Sequence, residues 1–189
     1  MRQNQDFRRD LRLAKRVWGK LKKSLLDSLL ELLKRHDLSV AAGDLLLLNG
    51  TWYVTHSGLL RVALRKHCKG MRVKPVNELT ERTASRFAFR ATVFTSPTCK
   101  GFEGYGDADP SNVSPLVHGA EMRVAETRAV NRALRKAYGI GICSIEEIAP
   151  LSSRNRLENR RSCRHNLPTE TTVVPKSAID SARSFASTS

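Results

Sequence analysis

The sequence predicts an α+β fold in which a three-stranded antiparallel β-meander packs on a long C-terminal helix, with an amphipathic helix before this β-β-β-α core. Apolar residues recur at helical spacing near the N-terminus and again before Gly139, and segments rich in β-forming residues lie between them. The 189 residues, 40% of them hydrophobic, suffice for one domain with tails.

The first half of the chain predicts two helices separated by a short strand. Apolar residues at helical spacing predict one amphipathic helix over residues 11–34, and Asn49-Gly50 punctuates the chain after an apolar stretch. A strand is expected at 52–54 and a helix from 57 to about 69. Gly70, which can adopt the left-handed cap conformation, is expected to end that helix.

The meander and the last helix follow in order. Alternating apolar and basic residues predict a strand at 71–76, and β-forming residues predict a longer one at 86–94. The chain turns at Ser96-Pro97 and returns over 101–106, which completes three antiparallel strands. A polar loop over 107–114 then leads to a helix over about 119–138.

Composition divides the chain into three regions. Residues 1–49 form a basic amphipathic helical segment, 50–150 form the core, and 151–189 form a Ser/Thr-rich tail expected to be disordered. The tail has seven Lys or Arg against three Asp or Glu, which leaves +4 there and +11 on residues 1–150. Basicity is therefore a property of the main body as well as of the tail.

The net charge of +15 and the pI near 10.4 favour a polyanionic partner, with nucleic acid ahead of an anionic membrane. No apolar run approaches the roughly 20 residues that span a bilayer, so no membrane partner is expected. Asp6 and Asp10 argue against an Arg-rich transit peptide at the N-terminus. The expected location is cytoplasmic or nucleoid-associated, with an organelle or the nucleus left open.

The spacing of the cysteines and the absence of a nucleotide-binding loop argue against several classes of site. Cys68, Cys99, Cys143 and Cys163 lack the close spacing of a zinc site and are typical of reduced intracellular thiols. No GxxxxGK[ST] loop exists, which argues against ATP-driven strand exchange. No cofactor, no metal and no catalytic residue are therefore expected.

The last helix carries the pattern most relevant to function. On a helical wheel Arg132 and Arg135 lie within about 40° of Arg128, with Lys136 at the margin. The opposite side holds small and aliphatic residues: Met122, Ala129, Val130, Ala133, Leu134 and Ala137. The wheel predicts an arginine ridge suited to successive phosphates. It places Glu126 on the apolar side, where that carboxylate would need a partner.

Four motifs within residues 50–148 add to this pattern: the Gly104-Tyr105-Gly106 strand end, the run AETRAVNRALR at 125–135, the Tyr138-Gly139 pair, and the strand-glycine-helix start around 58–63. Together they resemble the single-strand annealing proteins, a superfamily that includes the eukaryotic Rad-fifty-two and phage Erf-type recombination proteins. The resemblance implies a β-β-β-α core, a ring of subunits with strand edges contributing to assembly, and a basic groove that holds single-stranded DNA with its bases exposed.

The resemblance also implies site residues. The arginines of the family's RALR segment match Arg132 and Arg135, and the aromatic residue after them matches Tyr138. The chain departs from the family pattern at Asn131, where the family has a lysine, and at Leu60, where it has a groove arginine. Arg61 and Arg65 are the nearest substitutes for the latter, and Lys69 is a further cation.

We therefore expect a non-enzymatic protein that binds single-stranded DNA and anneals complementary strands without ATP in homologous recombination and repair. The expected DNA-binding residues are Arg128, Arg132, Arg135, Lys136, Tyr138, Arg61, Arg65 and Lys69. The expected partners are single-stranded DNA, further copies of the chain in a ring, and a recombinase or single-strand binding protein.

Three alternatives remain open from the sequence. The first is a passive single-stranded DNA or RNA binding protein. The second is a metal-dependent nuclease, for which Lys100 is the one candidate lysine and the candidate carboxylates are Glu103, Asp107, Asp109, Glu121 and Glu126. The third is a sequence-specific duplex binder, which would need helices flanking a turn as a reading head.

Overall fold

Four α-helices and two small antiparallel sheets make up the described part of the chain, residues 4–148 of the computed structural model, with side chains described from residue 6. The elements in chain order are α1 Asn4–Trp18, α2 Lys23–His36, β1 Leu45–Leu48, β2 Thr51–Val54, α3 His56–Arg65, β3 Gly70–Pro75, β4 Phe87–Phe94, β5 Phe102–Ala108 and α4 Glu121–Tyr138. The predicted tail over 151–189, and Cys163 within it, lie outside the described residues.

The prediction of one helix over residues 11–34 is wrong, because two helices, α1 and α2, occupy this region. The break falls at Gly19, whose φ of 73° lies in the left-handed region, and Lys22 is extended just before α2. Leu21 and Leu25 keep the apolar spacing across the break, so the periodicity conceals it.

The strands β1 and β2 form a hairpin that the sequence predicted only in its second strand. Leu45 pairs with Val54 and Leu48 with Thr51, around a two-residue turn in which Asn49 and Gly50 both have positive φ. Such a turn matches the twist of the two strands. The boundary expected between residues 49 and 50 falls inside this turn, and α1, α2 and the hairpin share one hydrophobic cluster with α3, β4 and α4.

The predicted three-stranded meander is confirmed, with strand order β3-β4-β5 and both pairs antiparallel. Val73 lies opposite Ala91, which lies opposite Gly104, so these residues share the face that packs on α4. The other face bears Arg72, Lys74, Arg90, Thr92, Glu103, Tyr105 and Asp107. The architecture is therefore α+β, with the sheet packed on the C-terminal helix.

The end of α3 differs from the prediction. The helix ends at Arg65, and His67 rather than Gly70 takes the left-handed conformation, with φ of 53°. Gly70 instead begins β3, because the amide of Lys69 already donates to the carbonyl of Phe94 in the sheet (2.8 Å). At the far end of α4, Gly139 does adopt the left-handed cap, with φ of 64°.

Candidate nucleic-acid interface

Three basic residues of α4 at four-residue intervals lie along the outer edge of β5, and we name them the edge ladder: Arg128, Arg132 and Lys136. Each donates to a carbonyl oxygen of that edge: Arg128 to Asp107 (2.8 Å), Arg132 to Tyr105 (2.7 Å) and Lys136 to Glu103 (2.7 Å). Four helical residues rise about 6 Å, close to the ~6.7 Å of two strand residues, so the two repeats match. The ladder covers carbonyls that an edge strand would leave unpaired.

The glycines of the Gly104-Tyr105-Gly106 motif make this contact possible. A Cβ at Gly104 would lie 2.6 Å from the carbonyl oxygen of Ala129, and one at Gly106 would overlap the backbone of Ala125 and Ala129. Only residues without a side chain let α4 lie this close to β5. The motif therefore has a packing role in this chain.

Arg128 is a buried structural residue, 5% exposed. Besides the bond to Asp107, its guanidinium donates to the carbonyl oxygen of Glu146 and to both the side-chain and the backbone oxygen of Asn112, each at 2.8 Å. Burial lowers the pKa of Arg128, and the nearby charge of Asp107 opposes that shift. The prediction of an exposed ridge that includes Arg128 is therefore wrong.

Arg132 and Arg135 converge on a carboxylate that the helical wheel could not reveal. Glu147, 7% exposed in its side chain, accepts two hydrogen bonds from Arg135 (2.8 and 2.9 Å) and one from Arg132 (3.3 Å). Burial opposes ionisation of Glu147, but the bonds from Arg135 and Ser144 outweigh it and lower its pKa. The sequence feature that could have drawn attention to Glu147 is the capping-box spacing from Ser144 to Glu147.

The arginines of α3 are also paired. Arg61 contacts the buried carboxylate of Asp44 and donates to the carbonyl of Ala42 (2.6 Å). The guanidinium of Arg65 lies 3.1 Å from the side-chain carboxylate of Asp37 and also donates to the carbonyl oxygen of Asp37 (2.7 Å). Both guanidinium groups hold the loop between α2 and β1, and neither is a free cation beside α4.

Tyr138 packs partly into the main core, and its hydroxyl lies buried beside Cys68. Burial, followed by the neighbouring thiol, raises the pKa of this hydroxyl. Tyr138 is thus a core residue, whereas Tyr105 on the outer sheet face is 48% exposed. Of the two tyrosines, Tyr105 is the one that a base could reach.

Lys69 and Lys136, both predicted site residues, are exposed at the same end of the sheet. Lys69 precedes β3 beside Phe94, and Lys136 donates to the carbonyl oxygen of Glu103, the second residue of β5. Lys100, in the loop between β4 and β5, is exposed at this end too. We name these three the sheet-end lysines, and the structure groups them where the sequence had not.

A second exposed basic surface lies on α1. Its apolar side, which includes Phe7, Leu11, Ala14 and Trp18, packs into the core, and its outer side forms the α1 surface: Arg8, Arg9, Arg12, Lys15 and Arg16. Within residues 6–148 none of these five forms an ion pair. The carboxylate of Asp10 is buried on the inner side, where it accepts from Ser39 and Ala41.

Asn131, at the position of the family's lysine, is fully buried in a polar network. Its amide nitrogen donates to Ser144 (2.9 Å) and Glu146 (3.0 Å), so its oxygen accepts from Nδ1 of His56 (2.5 Å). The network joins α3 and α4 to the segment after α4. Sequence reasoning missed it because His56 lies 75 residues from Asn131 in the chain, and Ser144 and Glu146 follow only after α4 has ended.

Among the carboxylates considered for a nuclease, Glu103 and Asp107 pair with Arg90 (3.9 Å) and Arg132 (3.5 Å), while two others make local contacts. Asp109 accepts from the backbone and hydroxyl of Ser111, as in an Asx turn, and Glu121 accepts from the backbone of Gly119. Glu126, which the wheel placed on the apolar side, is exposed instead. Over residues 4–148 no group of three or more His, Cys, Asp or Glu side chains is placed to hold a metal ion.

None of the helices described between residues 4 and 148 is both long and apolar enough to cross a membrane. Comparison with protein-family models, with curated proteins and with solved structures finds no match to the chain.

Proposed function

We propose that this protein binds single-stranded DNA and anneals complementary strands without ATP. The observation that carries the proposal is the α1 surface, where five exposed cations have no acidic partner among the described residues. Unpaired cations at this density attract a polyanion, and phosphate contacts of this kind do not select a sequence.

The sheet packed on α4 supports the same proposal, because it agrees with the β-β-β-α core that the resemblance implies. Of the expected site residues, Lys69 and Lys136 are exposed to phosphates, and Arg132 is partly exposed but pairs with Asp107 and Glu147. Arg128, Arg135, Arg61 and Arg65 act in this proposal by holding the surrounding backbone. Affinity then comes from phosphates, and base pairing between strands supplies the specificity.

In this proposal the chain works in recombination and repair as a homo-oligomeric ring, in the cytoplasm or on the nucleoid, together with a recombinase or single-strand binding protein. The edge ladder limits how such a ring is built. Because α4 side chains occupy the outer carbonyls of β5, the open edge of β3 is the sheet edge better suited to contact a neighbouring copy.

The test is to mix two complementary labelled oligonucleotides with the protein, and to repeat the reaction with EDTA and with ATP. We expect pairing faster than the spontaneous rate, unchanged by EDTA and by ATP. Binding without faster pairing would leave a passive single-stranded DNA or RNA binding protein. Metal-dependent cleavage would instead identify a nuclease, and absence of any binding would refute the proposal.

A further inference from the structure

The face of the sheet turned away from α4 carries a basic and aromatic surface that the expected site does not include. The β3-β4-β5 register places Lys74, Arg90 and Tyr105 in one row across the three strands. Arg72 lies in the next row, opposite Thr92, about 6.7 Å along β3 from Lys74. Arg72, Lys74, Arg90 and Tyr105 are all exposed, and we name these four the sheet-face cluster.

The charges of this cluster are poorly compensated. Lys74 and Arg90 face each other directly in the register, and like charges directly opposite on a sheet destabilise it. The ion pair of Arg90 with Glu103 spans 3.9 Å, at the limit of such a contact, while no described carboxylate pairs with Arg72 or Lys74. An anion bound here would relieve the repulsion.

The cluster continues toward one end of the sheet only. Lys69 lies just before β3, at the end nearer Arg72, and the other sheet-end lysines lie at the same end of the sheet. At the opposite end acidic residues predominate, since a pocket of about 450 Å³ next to Ala88 is lined by one cation, Arg86, and by four carboxylates: Glu78, Glu81, Asp107 and Asp109. A polyanion is therefore directed along β3 from Lys74 toward the sheet-end lysines.

The exposed side chain of Tyr105 favours single-stranded nucleic acid over the other polyanions. The ring of Tyr105 projects beside Arg90, and Arg72 lies 5.8 Å from the ring centre of Phe94 on the same face. Cations that follow a backbone, next to an aromatic ring open to solvent, are the elements that bind single-stranded nucleic acid, whose unpaired bases stack on the ring. A duplex hides its base faces, and an acidic protein offers no base to stack.

We infer that single-stranded DNA lies on this open sheet face, with phosphates against Arg72, Lys74 and Arg90, one base stacked on Tyr105, and the DNA strand continuing past the end of β3 at Lys69. The inference rests on the proposed function and names the surface that carries it. One stacked base among several phosphate contacts leaves the neighbouring bases free to pair, as annealing requires.

The experiment compares variants of the full chain for binding to a fluorescent oligothymidine, with an oligouridine and a duplex of the same length as further arms. Arg72→Gln with Lys74→Gln removes two cluster cations, and Lys34→Gln with Arg35→Gln removes two exposed cations from α2 as the matched control. We expect the sheet variant to lower the salt slope by about 1.4, and the α2 control to leave it unchanged.

Tyr105 is tested separately, because its stacking does not depend on charge. Tyr105→Ala should weaken binding about 5- to 150-fold with an unchanged salt slope, while Tyr105→Phe should bind like the unaltered chain. Ultraviolet crosslinking of the oligothymidine, mapped by mass spectrometry, should label Tyr105 in the unaltered protein. Circular dichroism and melting temperature show whether each variant is folded.

The outcomes separate the two proposals. If the unaltered chain binds no single strand, the proposed function itself fails. If it binds, but the sheet variant matches the α2 control and crosslinks avoid β3, β4 and β5, then the sheet-face assignment is wrong and the function stands. Equal binding of the duplex, or preference for oligouridine, would also overturn the assignment to single-stranded DNA.

Discussion

Arg128 illustrates what a helical wheel can and cannot predict. The wheel correctly grouped it with Arg132 and Arg135 on one side of α4, but it could not show that a second layer covers this side. The segment around Glu146 and the loop at Asn112 supply that layer and accept hydrogen bonds from the guanidinium. A position on the polar side of a helix therefore does not by itself show that a charged residue is exposed to solvent.

Glu147 should make the stability of the protein depend on pH in the acid range. Its pKa in the folded state lies below the ordinary 4.5, so the unfolded chain takes up its proton first as the pH falls. The stabilisation from this group is complete above the unfolded value and is lost as the pH falls through the folded one. Urea unfolding at about pH 6 and at steps down to about pH 3 measures this loss.

The matched variant for this prediction is Glu147→Gln, which keeps the shape of the side chain and removes its charge. We expect it to unfold about 1–3 kcal/mol more easily at neutral pH, because Arg135 loses a charged acceptor. Its unfolding free energy should fall less between the two pH values than that of the unaltered chain. Parallel pH profiles for the two proteins would contradict the assignment.

At the scale of elements, local patterns predicted the strands better than the helix ends. The alternation at 71–76 and the β-forming run at 86–94 predicted two strands, and both are confirmed as β3 and β4. The break at Gly19 could not be found in the same way, since the apolar spacing continues past it. Helix ends depend on backbone conformations that tertiary packing selects.

The contact between α4 and β5 should depend on Gly106. A Cβ added there would overlap the backbone of Ala125 and Ala129, which cannot move independently of the helix. Gly106→Ala should therefore lower the unfolding free energy by about 1–3 kcal/mol, as overpacking does, and this is measured by urea titration.

Gly141→Ala is the control for this change, since an added Cβ there meets no atom within 4 Å. We expect that variant to be as stable as the unaltered chain or more stable by up to about 1 kcal/mol. If Gly106→Ala were equally harmless, the close approach of α4 to β5 would not be a feature of the protein in solution.

At the scale of the whole molecule, the net charge of +15 correctly indicated an excess of cations but not where the free ones lie. Most of the arginines expected to bind DNA hold the fold together, through Asp44, Asp37, Glu147 and carbonyl oxygens. Among the described residues, two groups of exposed cations without ion pairs lie instead on α1 and on the outer sheet face. Sequence alone could not separate the two groups, because their acidic partners are distant in the chain.

This distribution predicts that DNA affinity depends on salt mainly through α1 and the sheet face. Every phosphate neutralised on a single strand contributes about 0.7 to the slope of log affinity against log salt. Arg12→Gln with Arg16→Gln should therefore reduce the slope by about 1.4, measured by fluorescence anisotropy on an oligonucleotide long enough to reach both surfaces. The charge-matched Lys34→Gln with Arg35→Gln should leave it unchanged, since those side chains lie on α2. A slope that falls equally in both variants would show that net charge matters rather than its placement, and a flat salt dependence in the unaltered chain would exclude phosphate contacts altogether.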